Sequence, residues 1–328
     1  MKIQPIRSTP LVALLIVAAI AACRAQPVDP ATTHPLPPVA IRPLAEGEPA
    51  LRFLAVGDTG TGGRGQRAVA TAMADKAARD GCDFVLLLGD NFYPAGVDAA
   101  DSPRFERDFE QVYVGESLGV PFFVTLGNHD HNGSIDAEIE RTRLGTRWCM
   151  PGRHYSFAWP IGPETTAAFF TLDTTPIAEG SDEGATELAW LDLAISRSHA
   201  DWNVVFGHHP VEEATDRGQV DRVRAALGPI LRRHHVDLYL AGHDHSLQLI
   251  RSDAPDAKPL VVIAGGGAGG DNSDGVDWSD RVDYAATGGG FAALRLTPTD
   301  LTVEFVRTDG TTQFAKTIAV TPAKEGVR

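Results

Sequence analysis

Short apolar runs recur along this chain, and the early ones end at a glycine followed by polar residues. Leu51–Val56, Phe84–Leu88 and residues 121–126 are such runs, and each predicts a strand. Phe84–Leu88 is apolar at every position, the pattern of a strand buried on both faces of its sheet. Between them, residues 66–79 are alanine-rich with helical spacing. Residues 104–114, bracketed by Ser102-Pro103 and Gly115, predict a second helix. Further along, residues 155–159, 167–172, 203–206 and 236–241 and Leu260–Ala264 predict strands, with helices over 184–198 and 221–233. Three alternating segments, 291–296, 301–307 and 312–318, close the pattern, and no internal repeat is present. The first half alternates strand and helix, while the second is richer in strands. Two strand-rich halves that must both bury a face predict stacked sheets covered by helices, an α/β (α+β) architecture.

The polar residues at the strand ends form five motifs: Gly57-Asp58-Thr59-Gly60, Gly89-Asp90-Asn91-Phe92-Tyr93, Gly127-Asn128-His129-Asp130, Gly207-His208-His209-Pro210 and Gly242-His243-Asp244-His245. Taken singly, each residue has an ordinary reading. Asp58 and Asp90 suit turns or helix caps. Asn128 suits a turn, His208 and His209 the surface, and Tyr93 packing beneath a loop. Jointly, at the C-terminal ends of successive strands where open α/β sheets place ligands, they read as a site. Asp58, Asp90, Tyr93, Asn128, His208, His243 and His245 supply oxygen and nitrogen ligands for two metal ions. His129 is left over for acid–base work. This is the inventory of a two-metal phosphoester hydrolase.

The order of these motifs resembles the calcineurin-like metallophosphoesterase superfamily. A tyrosine three residues after the second aspartate narrows the resemblance to the purple acid phosphatases. Gly127-Asn128-His129-Asp130-His131, Arg147-Trp148, Gly242-His243-Asp244-His245-Ser246-Leu247-Gln248 and Gly289-Gly290-Phe291-Ala292 are similar to the small, animal-type (tartrate-resistant) form, and the likeness runs from about residue 51 to 318. It implies a four-layer αββα sandwich of two mixed β-sheets flanked by helices. It implies that Asp58, Asp90, Tyr93 and His245 bind a first metal, that Asp90, Asn128, His208 and His243 bind a second, and that Asp90 bridges. It implies hydrolysis of phosphate monoesters by a metal-bound hydroxide, with His129 as general acid; a phosphodiesterase is the alternative, because the same metals serve both. The donor types agree independently. Two carboxylates, a phenol and an imidazole suit a hard, highly charged ion such as Fe3+, since a phenol ionises at working pH only under a strong Lewis acid. The second set, with its neutral amide, suits a divalent ion: Fe2+, Zn2+ or Mn2+.

Other residues near the motifs are less determined. His131 and His209 are close enough in sequence to reach a substrate. His209 and Thr59 depart from the animal forms, which carry tyrosine and tryptophan there, and this bears on substrate preference. Asp130 reads as a residue that holds its loop. The run Gly265-Gly266-Gly267-Ala268-Gly269-Gly270 lacks the Gly-Lys-Ser/Thr ending of a phosphate loop and reads as a tight turn passing close to the metals. Residues 179–183 read as a solvated acidic loop.

Composition bounds the remainder. The chain has 328 residues, 43% hydrophobic, with 33 glycines and 22 prolines, and a formal net charge of −14. So acidic a chain disfavours nucleic-acid partners, and the resemblance leaves a small phosphate ester as the expected substrate of a monomer. Residues 1–22 read as an export signal: Lys2 and Arg7, then an apolar run over 11–22 that is too short to span a bilayer. Ile20-Ala21-Ala22-Cys23 resembles a bacterial lipobox, which would lipidate Cys23; an ordinary secretory signal cut near Ala25 is the other reading. Arg24 after the cysteine favours the outer membrane by the same resemblance. Residues 23–50 follow as a Pro-rich tether, 51–320 as the catalytic domain and 321–328 as a tail. The membrane would be reached only through Cys23, from the periplasm or cell envelope. Sequence does not fix whether Cys82 and Cys149 pair.

Overall fold

The computed structural model describes residues 49–215, 220–253, 258–269 and 275–319. The export signal, Cys23, nearly all of the tether and the 321–328 tail lie outside the described residues. The chain lays down β1 (Leu51–Val56), β2 (Phe84–Leu88), β3 (Phe122–Thr125) and the short β4 (Trp148–Cys149) as parallel neighbours. It then builds a second sheet from β5 (Tyr155–Pro160), β6 (Thr166–Thr171), β7 (Trp202–Phe206), β8 (Leu238–Ala241), β9 (Ser246–Arg251), β10 (Leu260–Ala264) and β11 (Val282–Thr287). Finally β12 (Gly290–Leu296), β13 (Asp300–Arg307) and β14 (Thr312–Ala319) return to the first sheet, antiparallel, beside β1. The orders are β14-β13-β12-β1-β2-β3-β4 and β11-β9-β10-β8-β7-β6-β5. Both sheets are mixed, as the resemblance implies. Five α-helices accompany them among the described residues: α1 (Arg64–Asp80), α2 (Ile135–Arg141), α3 (Thr175–Glu179), α4 (Asp182–Ser196) and α5 (Val220–Arg233). No helix among the described residues is long and apolar enough to cross a membrane.

The two-residue period of the strands explains the layering. Phe206, Leu240 and Val262 point into the core shared by the sheets, while Val205, Tyr239 and Val261 belong to a second core under α4 and α5. Val69, Ala70, Met73 and Ala77 bury one stripe of α1 on the first sheet. Between the sheets, Phe84 stacks on Phe53 at 5.2 Å and meets Phe169 edge-on at 5.2 Å. Such contacts add to the area term and hold the sheets in one register.

Several elements differ from the sequence reading. Residues 104–114 do not form a regular helix: Phe105–Glu110 is a π-helical turn, and the Gln111 N–H bonds the Glu106 carbonyl five residues back at 2.9 Å. The wider turn accommodates two demands, because Phe105 and Phe109 both bury edge-on against Trp148 while Asp108 reaches Arg104 and Arg107. Cys149 lies in β4 and Cys82 is a buried free thiol, so these two do not pair. Residues 179–183 are not an acidic loop either. Glu179 ends α3, Gly180 takes the left-handed conformation that closes it, and the Ser181 side chain accepts the Gly184 N–H to cap α4, whose first turn holds Asp182 and Glu183. Acids there match the positive end of the helix.

Candidate metal centre

Five connections leave the C-terminal ends of β1, β2, β3, β7 and β8 and converge where the two sheets open. Asp58, Asp90 and His243 sit at left-handed backbone, with φ of 57°, 51° and 66°. Asp58 donates its N–H to the Gly89 carbonyl at 2.9 Å, Gly242 donates to the His208 carbonyl at 3.0 Å, and the His243 N–H reaches Asp58 Oδ2 at 2.8 Å. The loops are thus tied to one another rather than each to its own strand. The glycines make this possible: a Cβ on Gly127 would stand 2.3 Å from Asp90 Oδ1, and one on Gly242 would stand 2.6 Å from Asp58 Oδ2.

The side chains form two abutting groups. Tyr93 Oη lies 3.1 Å from Asp58 Oδ1, 2.9 Å from Asp90 Oδ2 and 3.4 Å from His245 Nε2, and His245 Nε2 lies 3.3 Å from Asp58 Oδ1. On the other side, His208 Nε2 lies 3.1 Å from Asn128 Oδ1, 3.2 Å from His243 Nδ1 and 3.4 Å from Asp90 Oδ1. Asp90 therefore shows one oxygen to each group. Asp58, Asp90 and His208 are all buried and place ligand atoms within 4.8 Å of one another.

This donor set fits cations. His208 Nδ1 lies 2.9 Å from the Leu88 carbonyl, to which it can only donate, so in the neutral ring Nε2 carries the lone pair. That lone pair faces a carboxylate oxygen, an amide oxygen and another ring nitrogen, an arrangement that one proton cannot satisfy. Tyr93 has one proton for two carboxylates and an imidazole. Burial and the charges of Asp58 and Asp90 push its phenol far above its ordinary pKa, so only a strong Lewis acid would ionise it. Burial also works against the charge of Asp58, yet His245, His208 and His243 hold its carboxyl below its ordinary range.

His129 belongs to neither group. Its ring lies 4.5 Å from that of Tyr93, its Nδ1 donates to the Pro94 carbonyl at 2.7 Å, and Nε2 points toward the site, 3.9 Å from Asp90 Oδ2. Asp130 does not touch that ring. It is buried and accepts N–H groups from Gly127, Asn91 and Phe92 at 2.8–3.2 Å, joining the second motif to the third. His131 Nε2 is held at 2.9 Å by buried Asp173, which also takes Arg153 at 3.2 Å. His209 is buried. Thr174 Oγ1 accepts the His208 and His209 N–H groups at 3.1 and 2.9 Å, so its own proton goes to His209 Nδ1 at 3.0 Å and leaves Nε2 as a donor. Burial and the neighbouring His208 and His243 keep this ring neutral. It lines a cavity of about 560 Å³ together with Asn128, Thr175 and Glu179. In the glycine run after β10, a Cβ on Gly265 would approach Asp58 Oδ2 to 2.8 Å, in keeping with a turn pressed against the site.

Arg104 was invisible as a site residue in the sequence. Its guanidinium donates to the carbonyls of Tyr93 at 2.7 Å and Ala95 at 2.6 Å, and its Nε pairs with Asp108 at 3.2 Å. It thereby clamps the loop that carries both Tyr93 and the Pro94 carbonyl. Burial favours the neutral acid of Asp108, but Arg107 and Arg104 hold it below the ordinary carboxylate range. Its stabilising charge is thus complete above about pH 4 and is lost only as pH falls through the lower folded value. Arg104→Ala should weaken metal retention about 10- to 100-fold, the usual cost of removing a partner behind a ligand. Dialysis against a graded chelator series measures this, and wild-type retention would show that the loop needs no clamp.

Comparison with known proteins follows the same lines. A family model described as calcineurin-like phosphoesterase matches residues 51–247. Tartrate-resistant acid phosphatase type 5 of Sus scrofa is 33% identical over 296 residues, covering 81% of this chain and 86% of that protein. Purple acid phosphatase 4 of Arabidopsis thaliana is 30% identical over 284 residues, with 79% and 81% covered. Among solved structures, a purple acid phosphatase from yellow lupin (Lupinus luteus) seeds superposes with a TM-score of 0.60 at 17% identity, over 84% of this chain and 55% of that one. GAP50, the anchor in the inner membrane complex of Plasmodium, superposes with a TM-score of 0.74 at 23% identity, over 84% and 90%. At these identities the two structures speak to the fold alone.

Proposed function

Because the chain belongs to the calcineurin-like phosphoesterases, and within them to the tartrate-resistant and purple acid phosphatases, we propose that its five motif loops form a two-metal centre that hydrolyses phosphate monoesters with His129 as general acid. The family makes it a phosphoric monoester hydrolase acting on small phosphate esters, and implies a dinuclear metal centre. In our reading Asp58, Asp90, Tyr93 and His245 hold Fe3+, and Asp90, Asn128, His208 and His243 hold Fe2+, Zn2+ or Mn2+. When bound, these ions would neutralise phosphate charge and supply an activated water in mildly acidic medium. Asp90 keeps the two ligand groups at a fixed separation, one oxygen to each. The Leu88 carbonyl fixes the tautomer of His208. Pro94 holds one N–H of His129, so that in the acid form the other, on Nε2, is free to meet the departing oxygen. The convergence of Tyr93 Oη with Asp58, Asp90 and His245 within 2.9–3.4 Å is the observation that carries the ferric assignment. Diester hydrolysis is the second reading, and the cavity beside Asn128 would have room for a further substituent. Matched aryl mono- and diesters separate the two.

The oxidised protein should be coloured through charge transfer from a Tyr93 phenolate to iron. Tyr93→Phe should bleach the visible band and leave the far-ultraviolet circular dichroism unchanged. Iron-loaded wild-type protein with no such band would leave an ordinary metallophosphoesterase and remove the purple assignment.

The proposal extends to location. A lipid on Cys23 would hold the enzyme in the bacterial cell envelope. Cys23→Ser should then release it from membranes with turnover unchanged, whereas soluble wild-type chains beginning at Gln26 would point to an ordinary secretory signal.

A further inference from the structure

The cavity beside the second ligand group is lined by buried polar groups that the fold leaves without partners. His209 and Thr175 line it, only 2% and 3% exposed, while Glu179, Asp221 and Arg222 form an exposed mouth. Asn128 belongs both to this wall and to the ligand group, where its Oδ1 lies 3.1 Å from His208 Nε2. His129, which follows Asn128 in the chain, is the proposed acid. The Thr174 hydroxyl fixes the His209 ring with its lone pair on Nδ1 and its proton on Nε2. Among the described residues no atom accepts that proton, and the Thr175 hydroxyl has no partner either. Buried polar groups left unpaired are costly, so two on one cavity call for a ligand that satisfies them.

The remaining lining narrows the chemistry of that ligand. Among the described residues it carries two carboxylates, Glu179 and Asp221, against one guanidinium, Arg222. A second anionic group on the substrate gains nothing from this balance. The hydrogen-bonding groups are of both kinds: the His209 Nε2–H and Arg222 donate, the carboxylates accept, and the Thr175 hydroxyl does either. An ammonium only donates and a carboxylate only accepts, whereas an alcohol hydroxyl does both. Ala178 is the one apolar residue in the described lining.

Resting on the monoesterase reading above, we propose that this cavity receives the alcohol part of the substrate and selects phosphate monoesters of polyols, whose hydroxyls pair with His209 Nε2 and Thr175 Oγ1. A plain aliphatic alcohol of the same length fills the same space but leaves both buried groups unpaired, which is the source of discrimination.

Glycerol 3-phosphate and propyl phosphate share a carbon skeleton, and both release a poor alkoxide. The metal-loaded wild type should have a kcat/KM at least about 10-fold higher for the glycerol ester. His209→Phe keeps a ring and removes the donor, and Thr175→Val keeps the shape and removes the hydroxyl. Each should bring the ratio to within about 3-fold at unchanged metal content, while Thr175→Ser should preserve it. Calorimetry with 3,4-dihydroxybutylphosphonate and butylphosphonate, which have no ester to hydrolyse, reads the same preference without turnover. Wild type should bind the diol at least about 10-fold more tightly, and His209→Phe should bind the two alike. That measurement decides the matter even where no monoester is turned over, a result that would count against the monoesterase reading instead. Equal binding of the two phosphonates by wild type overturns the proposal. So does a preference undiminished in both variants, or a higher kcat/KM for 2-aminoethyl phosphate than for the glycerol ester.

Discussion

Replacing Asp90 with alanine should lower kcat/KM on a phosphate monoester by at least about 10³-fold, a loss of roughly 4 kcal/mol of transition-state stabilisation. Its carboxylate shows one oxygen to each ligand group. Its Oδ2 stands 2.9 Å from Tyr93 Oη, and its Oδ1 stands 3.4 Å from His208 Nε2 and 2.8 Å from the His129 N–H. The substitution therefore removes a donor from each metal position and loosens the loop that carries the general acid. Elemental analysis of the purified variant should find at least one metal missing. Asp90→Asn separates charge from shape: it keeps the volume and loses the anion, so it should be nearly as inactive. A variant with full metal content and activity within tenfold of wild type would mean that the two groups do not share this carboxylate.

His129→Ala should leave metal content and colour intact and slow hydrolysis of alkyl phosphates by about 10²- to 10⁴-fold, the range that general acid catalysis contributes. The ring is positioned by its hydrogen bond to the Pro94 carbonyl at 2.7 Å and by packing on Tyr93, without entering the ligand groups. Activated aryl phosphates should lose far less, since their leaving groups depart without a proton. The ratio of the two losses is the diagnostic. Equal losses would assign His129 to holding the loop.

The parts of this molecule that sequence reveals are those that a local pattern encodes. The ligands could be read because each motif opens on a glycine at the end of an apolar run, and the buried strands because five or six consecutive apolar residues have few alternatives. The remainder depends on backbone groups or distant partners. The Pro94 carbonyl that orients His129, and the Tyr93 and Ala95 carbonyls that engage Arg104, have no residue type to announce them. Thr174 behind His208 and His209 lies 34 and 35 residues from the amides it accepts. The strand β9 directly follows the last metal motif, which masked its alternation, and β11 is only half buried, so its period is faint. Residues 104–114 misled because periodicity does not distinguish an α-helix from one wide π turn.

The left-handed backbone at Asp58, Asp90 and His243 has a further consequence. Glycine adopts that conformation freely, whereas a side chain there costs on the order of 1 kcal/mol, least for types such as aspartate and histidine. Three such positions weigh against a total folding stability of only about 5–15 kcal/mol. At these three ligand positions the sequence therefore gives up stability for the placement of a side chain. Glycine at any of them would relieve that strain and empty part of the site, and at Asp58 and Asp90 it would also lose the loop ties that their carboxylates make to the His243 and His129 N–H groups.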